Sequence, residues 1–131
     1  MSRVLGRYSE PLYALMRVFV GVLFACHGAQ KLFGVLGGQV QLSHPWLLTA
    51  GVIEFVGGIL VALGLWAAWA AFVASGEMTV AYFWVHAPHG FWPIVNKGEL
   101  ALLYCFVFLY IASRGSGTAS VDALMGRRGR G

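Results

Sequence analysis

The sequence predicts an all-α membrane protein, a bundle of four transmembrane helices. Of its 131 residues, 59% are hydrophobic and 11% are charged, whereas about 25% of the residues of an ordinary soluble domain are charged. The mean hydropathy is +0.74. Because one spanning helix needs about 20 apolar residues, we expect four spans in a single domain over residues 1–131.

Four apolar stretches, separated by turn-forming residues, define the predicted helices. Pro11 suits the first turn of the first helix, and Pro45 opens the second. The third cannot continue regularly through Pro88, Gly90 and Pro93. Two arginines before the first stretch also suit a signal peptide, but no cleavage site follows, so we interpret this stretch as a retained helix. The predicted helices cover about 12–33, 46–65, 67–85 and 94–113, and a tail covers 114–131.

The distribution of basic residues predicts the orientation in the membrane. Four spans place both termini on one side, whereas the two opposite loops offer only Lys31 and Lys97. The positive-inside rule therefore places the termini in the cytoplasm. The net charge of +4 follows from this orientation, and no basic face with stacking aromatics suggests nucleic acid. The arginines at the two ends are Arg3, Arg7, Arg114, Arg127, Arg128 and Arg130.

Ionisable residues interrupt the apolar stretches, three basic and three acidic. A charge at bilayer depth costs at least about 2.5–3.5 kcal/mol, so these residues must find partners inside the bundle. At a rise of about 1.5 Å per residue, Glu54 and Glu77 lie at matching depth with Arg17 close below them. We therefore expect Arg17 to pair with one or both glutamates. The residues are Arg17, Lys31, Lys97, Glu54, Glu77 and Glu99.

A second polar group is expected nearer the outer face, where histidines and aromatic residues cluster. A quinone headgroup needs an aromatic wall, donors for its two carbonyls and nearby proton carriers, and this group contains all three. Two other interpretations stay open: the aromatics anchor the protein at the interface, and the ion pairs only fix helix packing. The candidate catalytic residues are Glu54, Glu77 and Arg17, and the candidate ligand-binding residues are His27, Lys31, His86, Lys97, Glu99 and Trp84.

Metal binding is not predicted. His86 and His89 flank a proline and cannot form a helical pair on one face, and no third ligand is evident apart from His27 or Glu77. Cys26 and Cys105 form no C-x-x-C motif. A bridge between them stays open beside the usual role of cysteine as a small buried apolar residue.

A series of different short motifs extends over nearly the whole chain. They are Arg17, Gly21, Phe24, His27-Gly28 and Lys31; Glu54, Gly57-Gly58, Leu60 and Gly64-Leu65; Glu77 and Ala81; Asn96-Lys97-Gly98-Glu99; and Gly115, Gly117 and Ser120-Val121-Asp122. With these motifs the chain resembles the DoxX family of small bacterial membrane proteins. The resemblance implies four helices and a place in the bacterial inner membrane. The family's name comes from the small subunit of an archaeal thiosulfate:quinone oxidoreductase, and other members are linked to thiol and superoxide stress, trafficking or assembly.

The functional prediction is a membrane subunit of a redox system that binds quinone or docks a redox partner protein. Glu54 and Glu77 would carry protons, and Arg17 would hold their charge. The sequence lacks the paired cysteines and extra soluble domain that thiosulfate or thiol oxidation on its own would need. The alternative is a non-enzymatic adaptor or chaperone whose basic tail and Ser120–Asp122 segment recruit a partner. Transport of a small solute or protons is a third hypothesis, which requires a homo-oligomer because four helices enclose only a narrow pore. The Gly-rich faces of the second helix suit either internal packing or contacts between subunits.

Overall fold

The computed structural model describes residues 1–40 and 43–130, and the side chains of residues 1–40 and 43–126. Within this part of the chain every regular element is helical, which confirms the predicted all-α fold. The α-helices are α1 (Ser2–Leu5), α2 (Ser9–Phe33), α3 (Pro45–Leu63), α4 (Ala67–Ala81), α5 (Pro93–Asn96), α6 (Glu99–Arg114) and α7 (Val121–Arg130). A π-helical turn at Tyr82–His86 and 3-10 turns at Gly6–Tyr8 and Ala87–His89 complete the elements.

The four long helices, α2, α3, α4 and α6, form a bundle. Helix α2 packs along α3, α3 packs on α4, and α4 packs on α6. The ring of Phe24 on α2 contacts Tyr104 and Phe108 on α6, which closes the bundle. Phe24, Phe108 and the neighbouring Val61 and Ile111 are at most 1% exposed, so the core lies on the axis of the bundle.

Membrane-spanning character is clearest in the first half of the chain. The helical segment Ser2–Phe33 and α3 are long and apolar enough to cross a membrane. Helices α4 and α6 measure about 22–24 Å, and the π-helical turn extends α4 toward the roughly 30 Å of an apolar layer. Four spans and cytoplasmic termini stay predictions. The arginine side chains at 127, 128 and 130, which support that orientation, lie outside the described side chains.

Glycines allow α2 and α3 to approach each other closely. A methyl group added at Gly28 would lie 2.2 Å from the backbone nitrogen of Phe55, and one added at Gly58 would lie 2.5 Å from that of Ala25. Such distances leave no space for a side chain. Small residues at close helix crossings are typical of membrane bundles, and here they hold α2 and α3 in register.

The helix ends differ from the predicted ones mainly at the fourth helix. The predicted helix over 94–113 is two helices, because Lys97 adopts the left-handed conformation (φ 62°) and ends α5. Helix α6 then begins at Glu99. Regular α-helix in α4 ends at Ala81, before the π-helical turn. The predicted tail also contains α7.

Candidate functional site

A cavity of about 340 Å³ lies between the four long helices, at the end of the bundle where α2 ends and α6 begins. Its walls include the apolar or aromatic side chains of Phe24, Trp46, Met78 and Tyr104. All four long helices contribute residues to it. Its polar lining consists of His27, Lys31, Glu54, Glu77, His86 and Lys97.

An ion pair joins α2 to α3 in the cavity wall. Lys31 Nζ lies 2.7 Å from Glu54 Oε1 and donates a hydrogen bond to it. The Glu54 side chain is 3% exposed, whereas that of Lys31 is 27% exposed. Lys31 thus compensates a buried carboxylate and still reaches the cavity.

Glu77 on α4 supplies a second carboxyl group beside this pair. Its side chain lies next to Glu54 and within the field of Lys31. The Oε1 atom of Glu77 is buried and makes no hydrogen bond within the described part of the chain. Glu77 thus lines the cavity with a carboxyl group whose hydrogen-bonding capacity is only partly used.

An imidazole and a phenol also line the cavity. His27 on α2 is one helical turn before Lys31, and its ring meets that of Tyr104 edge to face, with 6.0 Å between centroids. Tyr104 on α6 is 7% exposed. The cavity thus combines a proton-exchanging ring with an aromatic surface.

The rim is formed by the irregular segment between α4 and α6, and Asn96 organises it. The Asn96 amide donates hydrogen bonds to the Tyr82 hydroxyl (3.2 Å) and the Gly90 carbonyl (3.0 Å), and its Oδ1 accepts one from the Gly98 amide (2.8 Å). His86 Nδ1 lies 3.1 Å from the Asn96 carbonyl oxygen. Asn96 is 3% exposed, so this buried side chain fixes the position of the rim.

The expected pairing of Arg17 with the glutamates is wrong. Arg17 is 2% exposed and donates hydrogen bonds to the backbone carbonyls of Ser116 and Ala119, the latter at 2.8 Å. Its guanidinium packs against Gly64 at the opposite end of the bundle from the cavity. Charge counting missed this arrangement because backbone carbonyls carry no sequence signature, yet they satisfy a buried guanidinium.

The Ser120–Asp122 segment also binds within the chain. Asp122 Oδ2 accepts hydrogen bonds from the Trp66 amide (2.9 Å) and the Ser116 hydroxyl (2.6 Å). The Asp122 amide donates to the Gly64 carbonyl at 3.0 Å. The carboxylate therefore caps the start of α4, where a negative charge is favourable. We call the residues 115–122 with their contacts to Arg17 and the α3–α4 turn the C-terminal clasp.

Two of the other predicted ligand-binding residues lie outside the cavity lining. Glu99 is exposed in the first turn of α6, so the predicted group of Lys31, Lys97 and Glu99 is not formed. Trp84 is 67% exposed, and its ring contacts Trp46 from outside the wall, with 5.9 Å between centroids. Lys97 is exposed at the rim. Lys31 pairs instead with Glu54, whose deeply buried carboxylate is compensated by the ammonium charge.

Sequence reasoning missed Tyr104 as a site residue. It lies in an apolar stretch with no neighbouring charge, but Ala101, Tyr104 and Phe108 recur at helical spacing and mark the buried face of α6. That periodicity predicts that Tyr104 faces the interior of the bundle, where its hydroxyl group makes it a candidate site residue. Asn96 belonged to a recognised motif but had no assigned role.

The cysteines and the metal-ligating side chains form no site among the described residues. Cys26 and Cys105 are free thiols, so the bridge between them is not formed. Cys105 Sγ lies 3.2 Å from the Thr79 hydroxyl, at the contact of α4 with α6. No group of three or more histidine, cysteine, aspartate or glutamate side chains in the described part is arranged to hold a metal ion.

Comparison with known proteins places this arrangement in a family. An uncharacterized protein of Haemophilus influenzae is 44% identical over 125 residues, which cover 90% of this chain and 93% of the relative. No solved structure matches the chain. The DoxX family model matches residues 12–87, the segment that carries His27, Lys31, Glu54, Glu77 and His86 of the cavity. The match covers more than half of the chain and confirms the resemblance, and the chain therefore belongs to the DoxX family of membrane proteins.

Proposed function

We propose that this protein is a membrane subunit of a redox system and that its central cavity binds a quinone. The observation that carries the proposal is the Glu77 carboxyl, whose Oε1 atom is buried without a partner beside the Lys31–Glu54 pair. A carboxyl group that lines an aromatic cavity and has one oxygen without a protein partner suits a ligand that takes up protons.

The shape and lining of the cavity support a flat amphipathic ligand. Ligand sites are mostly apolar, have a few convergent polar groups and measure about 300–1,000 Å³. At about 340 Å³, the cavity has the volume for one ring headgroup, and an isoprenoid tail would have to leave through the opening. Trp46 and Tyr104 offer ring surfaces, and His27 and Lys31 offer donors for carbonyl oxygens.

Proton transfer is assigned to the residues of this cavity. Reduction of a quinone to a quinol takes up two electrons and two protons. Glu77 would donate one proton to a carbonyl oxygen, and His27 is placed to supply the other from α2. Lys31 keeps the charge of Glu54 compensated while Glu77 changes its charge. The electrons would come from a redox partner protein that docks on the subunit.

The proposed location is the bacterial inner membrane, with four spans and both termini in the cytoplasm. The apolar length of the Ser2–Phe33 segment and α3 supports membrane insertion. The concentration of arginines at the two ends of the sequence supports the orientation. In this orientation the rim of the cavity faces the periplasmic side.

Quinone binding is tested by mass spectrometry of the lipids and quinones that co-purify with the protein in mild detergent. Wild type should carry about one quinone per protein. Glu77→Gln should lose most of it and remain folded. The matched control is Glu99→Gln, because this glutamate is exposed outside the cavity lining and its substitution should leave the quinone content unchanged. Bulk lipid without quinone in all three samples would refute the proposal.

A further inference from the structure

We infer that the cavity is open to water at one end only, so that the protons that reach Glu77 come from a single side of the membrane. This inference rests on the proposed function and adds its direction. It depends on three features of the bundle: an open polar rim, a closed aromatic floor and a tightly packed opposite end.

The open end carries exposed and partly exposed polar side chains. Lys97 is exposed, the Lys31 side chain is 27% exposed, and His86 is half-buried between the rim and the cavity. These side chains line the same cavity as Glu77. Protons can move through such side chains and water molecules.

The floor of the cavity is a cluster of three aromatic rings. Phe24 lies 4.6 Å from Phe108 and 5.2 Å from Tyr104, centroid to centroid, and Tyr104 stacks on Phe108 at 5.5 Å. Phe24 is 1% exposed and Phe108 is 0% exposed. Rings packed at these distances leave no room for water between them.

Further apolar layers separate this floor from the opposite end. Val61, Ala67 and Ile111 are 0% exposed and occupy the bundle between the rings and Arg17. From Tyr104 to Ile111 the path along α6 is about 10 Å. The C-terminal clasp then closes the end of the bundle itself. A proton that approached from this end would have to cross dry, close-packed side chains.

One-sided access has a functional consequence. Quinone reduction at this cavity would take both protons from the rim side, and quinol oxidation would release them there. The subunit would therefore couple electron transfer to the proton content of one compartment. It would not conduct protons across the membrane, in contrast to the transport hypothesis.

The test is cysteine accessibility from each side of sealed membrane vesicles. Ala81→Cys and Met78→Cys place thiols in the cavity wall, in a background where Cys26→Ala and Cys105→Ser remove the native thiols. Two markers identify the sides: Phe91→Cys, at a residue 83% exposed near the rim, and Gly126→Cys, where an added Cβ meets no atom within 4 Å. A membrane-impermeant thiol reagent is applied to vesicles of both orientations.

The cavity thiols should react at least tenfold faster from the side that labels Phe91→Cys. Equal labelling from both sides, faster labelling from the Gly126→Cys side, or no labelling from either side would overturn one-sided access. Met78→Cys repeats the measurement at an 8% exposed position in case Ala81→Cys does not fold. The quinone content is measured separately, so one-sided labelling without bound quinone would reject the proposed function and leave the direction of access standing.

Discussion

Replacing Arg17 by methionine tests whether this residue belongs to the C-terminal clasp or to the cavity. Methionine keeps an unbranched apolar side chain but removes the charge and every donor. The Ser116 and Ala119 carbonyls would lose their hydrogen bonds from the guanidinium. We expect the segment after Arg114 to detach from the end of the bundle, while the Lys31–Glu54 pair stays in place.

The magnitude follows from the two hydrogen bonds. A hydrogen bond to a charged group contributes about 1.5–3 kcal/mol, so both together contribute about 3–6 kcal/mol to closing the clasp. At the lower value, the population of the open clasp rises about a hundredfold. When opening and closing are fast, cleavage by a protease follows this population.

Trypsin measures this population because it cleaves after arginine, and Arg114 is followed by the first residue of the clasp, Gly115. In the closed clasp the Gly115 carbonyl accepts a hydrogen bond of 2.6 Å from the Tyr13 hydroxyl. Cleavage after Arg114 should accelerate about a hundredfold or more in Arg17→Met. The control is Glu10→Gln, which removes the exposed ion pair with Arg114 and keeps the cleavage site. Cleavage of this control should change little, since exposed ion pairs contribute little.

The contrary result is equally clear. If Arg17→Met is cleaved after Arg114 at the wild-type rate but no longer co-purifies with quinone, Arg17 supports the cavity and not the clasp. The assignment of its charge to the clasp would then be wrong. Loss of both properties, with the protein still folded, would show that the two ends of the bundle are coupled.

Three further predictions concern the packing and the rim. Lys31→Met leaves the buried Glu54 carboxylate uncompensated and should lower the free energy of unfolding by about 3 kcal/mol. The double variant with Glu54→Leu should recover most of this loss. If the effects of the two substitutions simply add in detergent unfolding, the pairing is contradicted. Gly28→Ala should lower the free energy of unfolding by about 1–3 kcal/mol because α2 and α3 must separate. Gly76→Ala, where the added methyl group meets no atom, should raise it by about 0.5–1 kcal/mol. Equal melting temperatures of the two variants would contradict this. Asn96→Ala removes three hydrogen bonds and should accelerate hydrogen exchange in residues 86–98; unchanged exchange there would show that the rim does not depend on this side chain.

The cavity illustrates how far sequence reasoning extends. Glu54 and Glu77 stood out because an ionisable residue in an apolar helix needs a partner, and they do lie next to each other. Their cationic partner, however, is Lys31 and not Arg17. Arg17 and Lys31 lie on the same face of α2, about 21 Å apart along the helix, so the choice between them depends on the position of α2 along α3, which the glycine contacts of the two helices fix.

The contacts of the rim and the clasp cannot be predicted from the sequence. Asn96 organises its segment through a hydroxyl, a carbonyl and an amide that lie two to fourteen residues away. Asp122 caps α4 from 56 residues away. In both cases one side chain binds backbone groups together with one hydroxyl, and backbone groups are the same at every position.

Apolar length, periodicity and the cost of a buried charge are properties of each segment alone, and they suffice to identify a helical membrane protein and the charged residues of its interior. Which charges meet depends on how the segments pack. Arg17 and its acceptor at Ser116 are 99 residues apart, and that contact exists because the chain after α6 folds back over the end of the bundle. The packing of α2 on α3 likewise brings Lys31 to Glu54, and Glu77 joins this pair from α4.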